Sequence, residues 1–281
     1  DSLVIPVAEE ILDNLKGKNE VDFVKEFTRP YPFRVISRML GLPVHDQDKM
    51  LSWAVKLIDY PWDPVGALKA KQDFGSYLKP LVDYRRGRSG EDLLSLVANA
   101  EVGGKLLDDE AVFSFVRMLF PAGSDTTYLL GGSMFLEILL NPQLRVLAQQ
   151  GDREREGIVQ EAVRLNSPTA LLPRICSLDT ELGGVSLKSG QRMLFGIVCA
   201  NRDPRVFPNP HVFDHKRTIK SLAFGNGPHF CVGSNLARLE LREALRLVLE
   251  RFPNIALVDK ESKITGGVLR GPRQLMVKLN G

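Results

Sequence analysis

The sequence has few cysteines, and none of them are closely spaced. Its 281 residues contain three, Cys176, Cys199 and Cys231. An odd number at wide separation argues against a disulfide framework. It also argues against a structural zinc site, because such sites repeat cysteine or histidine at short intervals.

Long apolar runs and a strong charge of one sign are also missing. No stretch approaches the roughly 20 apolar residues that a membrane-spanning helix needs. The 37 Lys and Arg residues nearly balance 34 Asp and Glu, and a net charge of +3 gives no indication of nucleic-acid binding. We therefore expect a cytoplasmic protein with no membrane span and no nucleic-acid partner.

Apolar residues recur at helical spacing through the first part of the chain. The periodicity and its breakers predict helices over Val4 to Leu15, Asp22 to Leu40 with a break at Pro30 and Pro32, Asp46 to Asp59, Ala67 to Arg86, a short segment after Gly90, and Leu107 to Leu140. Residues 1–172 are thus expected to be helix-rich.

The composition changes near residue 173, where β-branched residues and glycine turns become frequent. Val185 to Phe195 reads as a hairpin, whereas Pro204, Pro208 and Pro210 oppose regular structure. A final helix is predicted from Ser234. We expect one domain over 1–281, mainly α with a small β region in 173–281 (α+β).

The segment from Phe224 to Gly233 places one cysteine in a tight turn. Gly225, Gly227 and Gly233 permit positive φ, and a helix pattern begins directly after Cys231. The positive end of a helix dipole favours a thiolate, which is a metal ligand. The commoner explanation for a lone Cys-Gly pair is a packed thiol.

Polar residues interrupt the long apolar helix at Ala122-Gly123-Ser124-Asp125-Thr126-Thr127. A buried carboxylate and hydroxyls are costly without a partner or a role. Pro121 and Gly123 weaken the helix here, which leaves room for water or a diatomic ligand. The alternative is a threonine that bonds back to its own helix.

Three further features are weak when taken alone. Glu161 and Arg164 share a helix face at spacing i, i+3. Arg174 at the start of the strand-rich part, and His229 beside the cysteine, could each hold an anionic group of a cofactor. The alternatives are a surface arginine and a packed histidine.

In this order, the motifs resemble those of the cytochrome P450 family of heme-thiolate monooxygenases over essentially the whole chain. The cysteine loop fits Phe-x-x-Gly-x-His-x-Cys-x-Gly, Ala122 to Thr127 is similar to the oxygen-activating helix, and Glu161 with Arg164 is similar to the Glu-x-x-Arg pair. Ala200 to Pro204, with Phe207, Pro210 and Phe213, is similar to the meander of bacterial members.

The resemblance implies a role for each motif. Cys231 would bind the iron of heme b (iron protoporphyrin IX), in the loop shaped by Phe224, Gly227 and Gly233. Arg174 and His229 would bind its propionates. Ala122 and Gly123 would leave space for dioxygen, and Asp125 and Thr126 would guide protons to it. Glu161 and Arg164 would form a structural pair.

The resemblance also implies substrates and partners. The substrate-facing segments would be Thr169, Ala170, Leu171 and Leu172, together with Gly266, Gly267 and Val268. They are mostly apolar, so the expected substrate is a hydrophobic small molecule that is hydroxylated with O2. Electrons would come from a separate ferredoxin-like donor with its reductase.

Three departures from the family pattern qualify this expectation. Val212 stands where many relatives carry an arginine, so the Glu161 and Arg164 network is expected to be smaller or to use Arg217. Pro121 lies where the helix usually continues. The N-terminal helices and strands that normally come before Asp1 are absent, and we expect the sequence to be part of a longer protein.

Two alternatives follow from the residues. A truncated or degenerate protein would hold heme or another ligand without turnover. A zinc hydrolase would use His211 and His215, whose i, i+4 spacing suits one helix face, although no Glu lies between them. A phosphate-binding loop is excluded because no Lys-Ser or Lys-Thr follows Gly233.

Overall fold

The computed structural model describes residues 2–60 and 62–280. The helices are α1 (Val4–Asp13), α2 (Pro30–Met39), α3 (Gln47–Ile58), α4 (Pro64–Arg85), α5 (Leu93–Ala98), α6 (Asp109–Leu140), α7 (Pro142–Ala148), α8 (Asp152–Leu165), α9 (Ile197–Ala200) and α10 (Ser234–Arg251). The strands are β1 (Glu20–Asp22), β2 (Glu101–Val102), β3 (Lys105–Leu106), β4 (Leu171–Ile175), β5 (Thr180–Leu182), β6 (Val185–Leu187), β7 (Arg192–Gly196), β8 (Ala256–Leu257), β9 (Ile264–Thr265), β10 (Gly271–Pro272) and β11 (Met276–Lys278). About 53% of the chain is helical, and the predicted mainly α fold with a small β region is confirmed.

The chain divides into two compact units. The first contains Asp1–Lys16 and Glu26–Tyr128, and the second contains Gly17–Lys25 and Leu129–Gly281. Helix α6 is continuous and contributes to both. The single domain expected over 1–281 stays a prediction.

The core of the first unit is aromatic. The Phe74 ring stacks on Trp53, with ring centroids 5.1 Å apart, and meets Phe120 edge-on at 6.1 Å. Phe33 also meets Phe120 edge-on, at 5.6 Å. Because these rings come from α2, α3, α4 and α6, they fix the first half of α6 against three other helices.

The second unit combines a helical layer with several short sheets. Helix α8 packs against α7 and α10. An antiparallel sheet has the strand order β1-β11-β8, in which Val21 pairs with Val277. The Phe23 ring, directly after β1, lies edge-on to Phe135 of α6 at 5.0 Å.

The predicted hairpin over Val185 to Phe195 is wrong. The expected turn forms, since the Gln191 N–H donates to the Lys188 carbonyl at 3.0 Å, but the flanking strands β6 and β7 do not pair with each other. Strand β6 pairs with β5, and β7 pairs with β4. Local patterning identifies strands but does not choose between possible partners.

The predicted helix over Asp22 to Leu40 is also wrong in its first part. Asp22 belongs to β1, a π-helical turn covers Val24–Thr28, and α2 begins at Pro30. Pro30 therefore starts a helix and does not interrupt one. Proline is tolerated in a first turn because its missing N–H would have no intrahelical acceptor there.

Candidate active site

Cys231 lies in a closed loop directly before α10. Its N–H donates to the Phe224 carbonyl at 2.8 Å, and its carbonyl accepts from the N–H of Ser234, the first residue of α10, at 3.3 Å. The predicted place of the cysteine at a helix N-terminus is confirmed. The partial positive charge of that terminus favours an anion nearby.

Two glycines make the loop possible. Gly225 and Gly227 have φ of 75° and 72°, a region that side chains with a Cβ rarely adopt. Gly227 opens a 3-10 turn to His229, which the Phe230 N–H closes by donating to the Gly227 carbonyl at 3.0 Å. Gly233 has φ of −82° and so does not use the positive region.

The loop exposes apolar side chains beside its thiol. Cys231 is exposed, Val232 is 90% exposed and Phe230 is 50% exposed. The Arg238 guanidinium covers the Phe224 ring at 4.4 Å. Exposed apolar side chains therefore lie next to the thiol in the sequence of the loop.

His229 and Arg174 are both exposed, so the alternative of a packed histidine is wrong. His229 ends the 3-10 turn before the cysteine. Arg174 lies in β4 opposite Met193, and its guanidinium donates to the neighbouring Pro173 carbonyl at 2.8 Å. Both side chains are therefore accessible to an anionic group.

Glu161 and Arg164 form a buried pair. The Arg164 Nε and Nη2 atoms donate to the two Glu161 carboxylate oxygens at 2.8 and 2.7 Å, and the side chains are only 1% and 2% exposed. Arg164 also donates through Nη1 to the carbonyls of Asn201 and Pro210, at 2.7 and 2.9 Å. The pair thus holds the irregular segment that follows α9.

Arg217 completes this network, as expected from Val212. Its Nε lies 3.2 Å from a Glu161 oxygen, and its Nη1 donates to the Pro208 carbonyl at 3.0 Å. Val212 is exposed, and its carbonyl accepts from Arg164 at 3.4 Å. Of the two expectations, a smaller network or one that uses Arg217, the structure agrees with the second.

Asp125 is a buried carboxylate on α6 and is 6% exposed. Burial raises its pKa from 3.8 to about 6, which the nearby Arg29 opposes and Asp59 reinforces. Arg29 is placed at this turn of α6 by the Tyr128 ring, 5.9 Å from its guanidinium carbon. Sequence reasoning missed Arg29, and no motif could have shown it, because only the packing of α6 brings it there.

The neighbouring residues divide between two faces of α6. Ala122 is exposed and Thr126 is partly exposed, and they share one face at spacing i, i+4. The Thr126 hydroxyl donates to the Ala122 carbonyl at 2.9 Å, which is the back-bonded arrangement considered above. A Cβ on Gly123 would lie 3.1 Å from Ile36 Cδ1, so this glycine permits close packing against α2. The helix continues through Pro121.

The two predicted substrate-facing segments lie side by side. Thr169 forms an antiparallel bridge with Leu269, and the Ala170 N–H donates to the Val268 carbonyl at 2.8 Å. The Ala170 carbonyl accepts from Ile197 at 2.9 Å. Leu171 and Leu172 continue into β4, and Gly267 and Val268 are exposed. The structure thus joins segments that are about 100 residues apart in sequence.

The zinc alternative loses its basis. His211 and His215 lie in an irregular segment and not on one helix face. Within residues 2–60 and 62–280, no cluster of three or more His, Cys, Asp or Glu residues could hold a metal ion.

Comparison with known proteins identifies the family. The Cytochrome P450 family model matches residues 156–279. Polyketide biosynthesis cytochrome P450 PksS of Bacillus subtilis is 32% identical over 98% of this chain and 69% of its own length. The chain belongs to the cytochrome P450 family.

Further relatives agree with this assignment. Steroid C26-monooxygenase of Mycobacterium tuberculosis is 31% identical over 93% of this chain and 72% of its own length. The solved structure of PksS covers 99% of this chain and 73% of its own, with a TM-score of 0.91 and 33% identity. P450BioI, solved with an acyl carrier protein that carries hexadec-9Z-enoic acid, gives a TM-score of 0.90 at 31% identity, covering 98% of this chain and 73% of its own.

Family membership defines the class of chemistry. The chain is a heme-thiolate monooxygenase, an oxidoreductase that uses heme iron and O2 and receives electrons from a redox partner. None of the helices described here is long and apolar enough to cross a membrane.

Proposed function

We propose that Cys231 binds the iron of heme b and that the enzyme hydroxylates a hydrophobic small molecule. The observation that carries the proposal is the Cys231 loop, which holds an exposed thiol before α10 among exposed apolar side chains. A sulfur donor beside apolar surface suits an iron ion within a flat, largely apolar macrocycle.

The set of donors fits a porphyrin better than a bare metal ion. A protein-bound zinc or calcium ion usually takes three or more protein ligands. Within the described residues no such cluster exists, so one cysteine would be the protein's whole contribution. A metal held by one side chain needs its remaining ligands from the cofactor, as in heme.

Arg174 and His229 are proposed to bind the heme propionates. Both are exposed, and an arginine fork is well matched to a carboxylate. When bound, heme supplies the iron at which dioxygen is activated.

Asp125 and Thr126 are proposed to move protons toward dioxygen. An acid with a pKa of about 6 can both hold and release a proton near neutral pH, which a proton relay requires. The Thr126 hydroxyl donates a hydrogen bond to the Ala122 carbonyl, so its oxygen lone pairs remain available to accept another hydrogen bond. Ala122 adds no bulk to the same exposed face.

The substrate is proposed to lie against 169–172 and 267–268. Their mostly apolar composition and their pairing support a hydrophobic molecule, and the fatty acyl chain on the carrier protein bound by P450BioI supports the same class. We propose a ferredoxin-like electron donor with its reductase.

A pair of cysteine variants tests the iron ligand. Cys199 is also exposed and lies in the same unit, so Cys199→Ser is a matched control for Cys231→Ser. In the ferrous carbon monoxide complex, we expect the strongly red-shifted thiolate band in the wild type and in Cys199→Ser. Cys231→Ser should lose that band while far-ultraviolet circular dichroism stays unchanged. A thiolate band that persists in Cys231→Ser would contradict the assignment.

A further inference from the structure

Asn201 is a fully buried polar residue at the end of α9. Its relative exposure is 0%, and its N–H donates to the Ile197 carbonyl at 2.9 Å. Burying an amide side chain is unfavourable unless it is hydrogen-bonded, so the contacts of this amide are informative.

The side chain and the main chain of Asn201 accept hydrogen bonds from two different parts of the chain, Leu222 and Arg164. Its Oδ1 atom accepts the Leu222 N–H at 2.7 Å, and its carbonyl accepts Arg164 Nη1 at 2.7 Å. Among the described residues, its Nδ2 atom has no hydrogen-bond partner. The oxygen is therefore the part of this side chain that the fold uses.

The contact with Leu222 continues into the cysteine loop. The Leu222 carbonyl accepts the Gly225 N–H at 2.9 Å, and the Phe224 carbonyl accepts the Cys231 N–H at 2.8 Å. Three successive hydrogen bonds therefore lead from Asn201 to Cys231. Each uses a backbone N–H, so the path depends on the side chain of Asn201 and on no other side chain.

We propose that Asn201 is a positioning residue that fixes the entry of the Cys231 loop to the Glu161 and Arg164 pair. Its role toward iron rests on the proposed function of Cys231, whereas its hold on Leu222 does not. Asn201 fixes the position of Leu222 at the start of the loop, and the backbone hydrogen bonds of the loop then fix the position of the Cys231 sulfur.

Amide hydrogen exchange on the heme-loaded protein tests the first link. In the wild type, the Leu222 amide should exchange at least about tenfold more slowly than an unprotected loop amide. Asn201→Ala should accelerate that exchange about tenfold, whereas Asn201→Asp keeps the acceptor oxygen and should stay within about twofold of the wild type. An unprotected Leu222 amide in the wild type would overturn the proposal even if the alanine variant does not fold.

Asn166→Ala is the matched control. Asn166 is 3% exposed in the same unit, and its Nδ2 donates to Glu137 at 3.0 Å. This variant should leave Leu222 exchange unchanged. Equal acceleration in both alanine variants would indicate general loosening and contradict a specific link.

The ferrous carbon monoxide spectrum tests the second link. Asn201→Ala should lose part of the red-shifted thiolate band, whereas Asn201→Asp and Asn166→Ala should retain it. Faster Leu222 exchange with an unchanged spectrum would overturn the positioning role and leave the ligation of Cys231 intact. A wild type without that band would instead contradict the proposed function, whatever the exchange data show.

Discussion

Two buried carboxylates, Glu161 in α8 and Asp125 in α6, have opposite surroundings at nearly equal burial. Glu161 is 2% exposed and receives hydrogen bonds from both Arg164 and Arg217, as well as from the Asp214 N–H at 3.0 Å. Asp125 is 6% exposed, and no hydrogen bond from the described residues reaches its carboxylate.

The contrast distinguishes a carboxylate with a structural role, Glu161, from one that can exchange protons, Asp125. The donors around Glu161 replace the hydrogen bonds to water that its carboxylate loses on burial. The carboxylate can therefore hold neighbouring segments together. At Asp125 burial is not compensated in this way, and the pKa rises toward neutrality. A carboxylate that is to exchange protons needs the second environment.

The largest effect is expected where a paired charge loses its partner. Arg164→Ala leaves the Glu161 carboxylate buried without its main donor, and we expect the free energy of unfolding to fall by about 3 to 5 kcal/mol. Chemical denaturation measures this. Arg205→Ala is the control: Arg205 pairs with Asp203, but its side chain is 87% exposed, so this substitution should leave the free energy of unfolding nearly unchanged. Equal losses in the two variants would contradict a special role for the buried pair.

A smaller effect, of a different kind, is expected at the unpaired carboxylate. Asp125→Asn keeps the shape but cannot give up a proton, so we expect turnover to fall about 100-fold or more. The free energy of unfolding at pH 7 should not fall, because a desolvated charge is removed. Steady-state kinetics and denaturation together decide this. If Asp125→Asn kept its activity but lost stability, Asp125 would have the structural role assigned to Glu161, and the prediction would be wrong.

The pH dependence of stability sharpens the comparison. The pKa of Asp125 is 3.8 without the fold and about 6 within it, so between these values the folded state binds the extra proton. The contribution of Asp125 to the free energy of unfolding therefore falls as the pH rises through this window, by about 2 to 3 kcal/mol. Asp125→Asn should match the wild type near pH 4 and exceed it above pH 6. A constant difference between the two would contradict the raised pKa.

The smallest effect is expected at Arg29. Its positive charge lowers the Asp125 pKa against the effect of burial, so Arg29→Gln should move the acidic limb of the turnover profile to higher pH, by a few tenths to about one unit. Arg38→Gln, in the helix α2 that begins directly after Arg29, is the control, because Arg38 is paired with Glu10; it should leave the profile unchanged. A shift to lower pH would contradict the proposed coupling.

Features that depend on local pattern were predictable from the sequence. Helical periodicity gave α1, α3, α4 and α6, and the glycine-rich segment gave the turn before Cys231. The valine at position 212 left two possibilities, a smaller network or one that uses Arg217, and the structure shows the second.

Features that depend on distant partners were not predictable. The pairing of β7 with β4, and not with β6, is decided by the fold as a whole. No local pattern connects Arg29 with Asp125, which it approaches in the structure. The same holds for the hydrogen bond from the Leu222 N–H to the Asn201 side chain. Single residues showed what chemistry was available, and packing determined which groups meet.

Arg164 holds the segment after α9 through backbone carbonyls, those of Asn201, Pro210 and Val212. Every amino acid has that carbonyl, so the attachment places little demand on side-chain identity. The outward side chains, such as the exposed Val212, can then change over evolution without loosening the segment. One buried arginine thus fixes the backbone of this segment and leaves the choice of its outer side chains open.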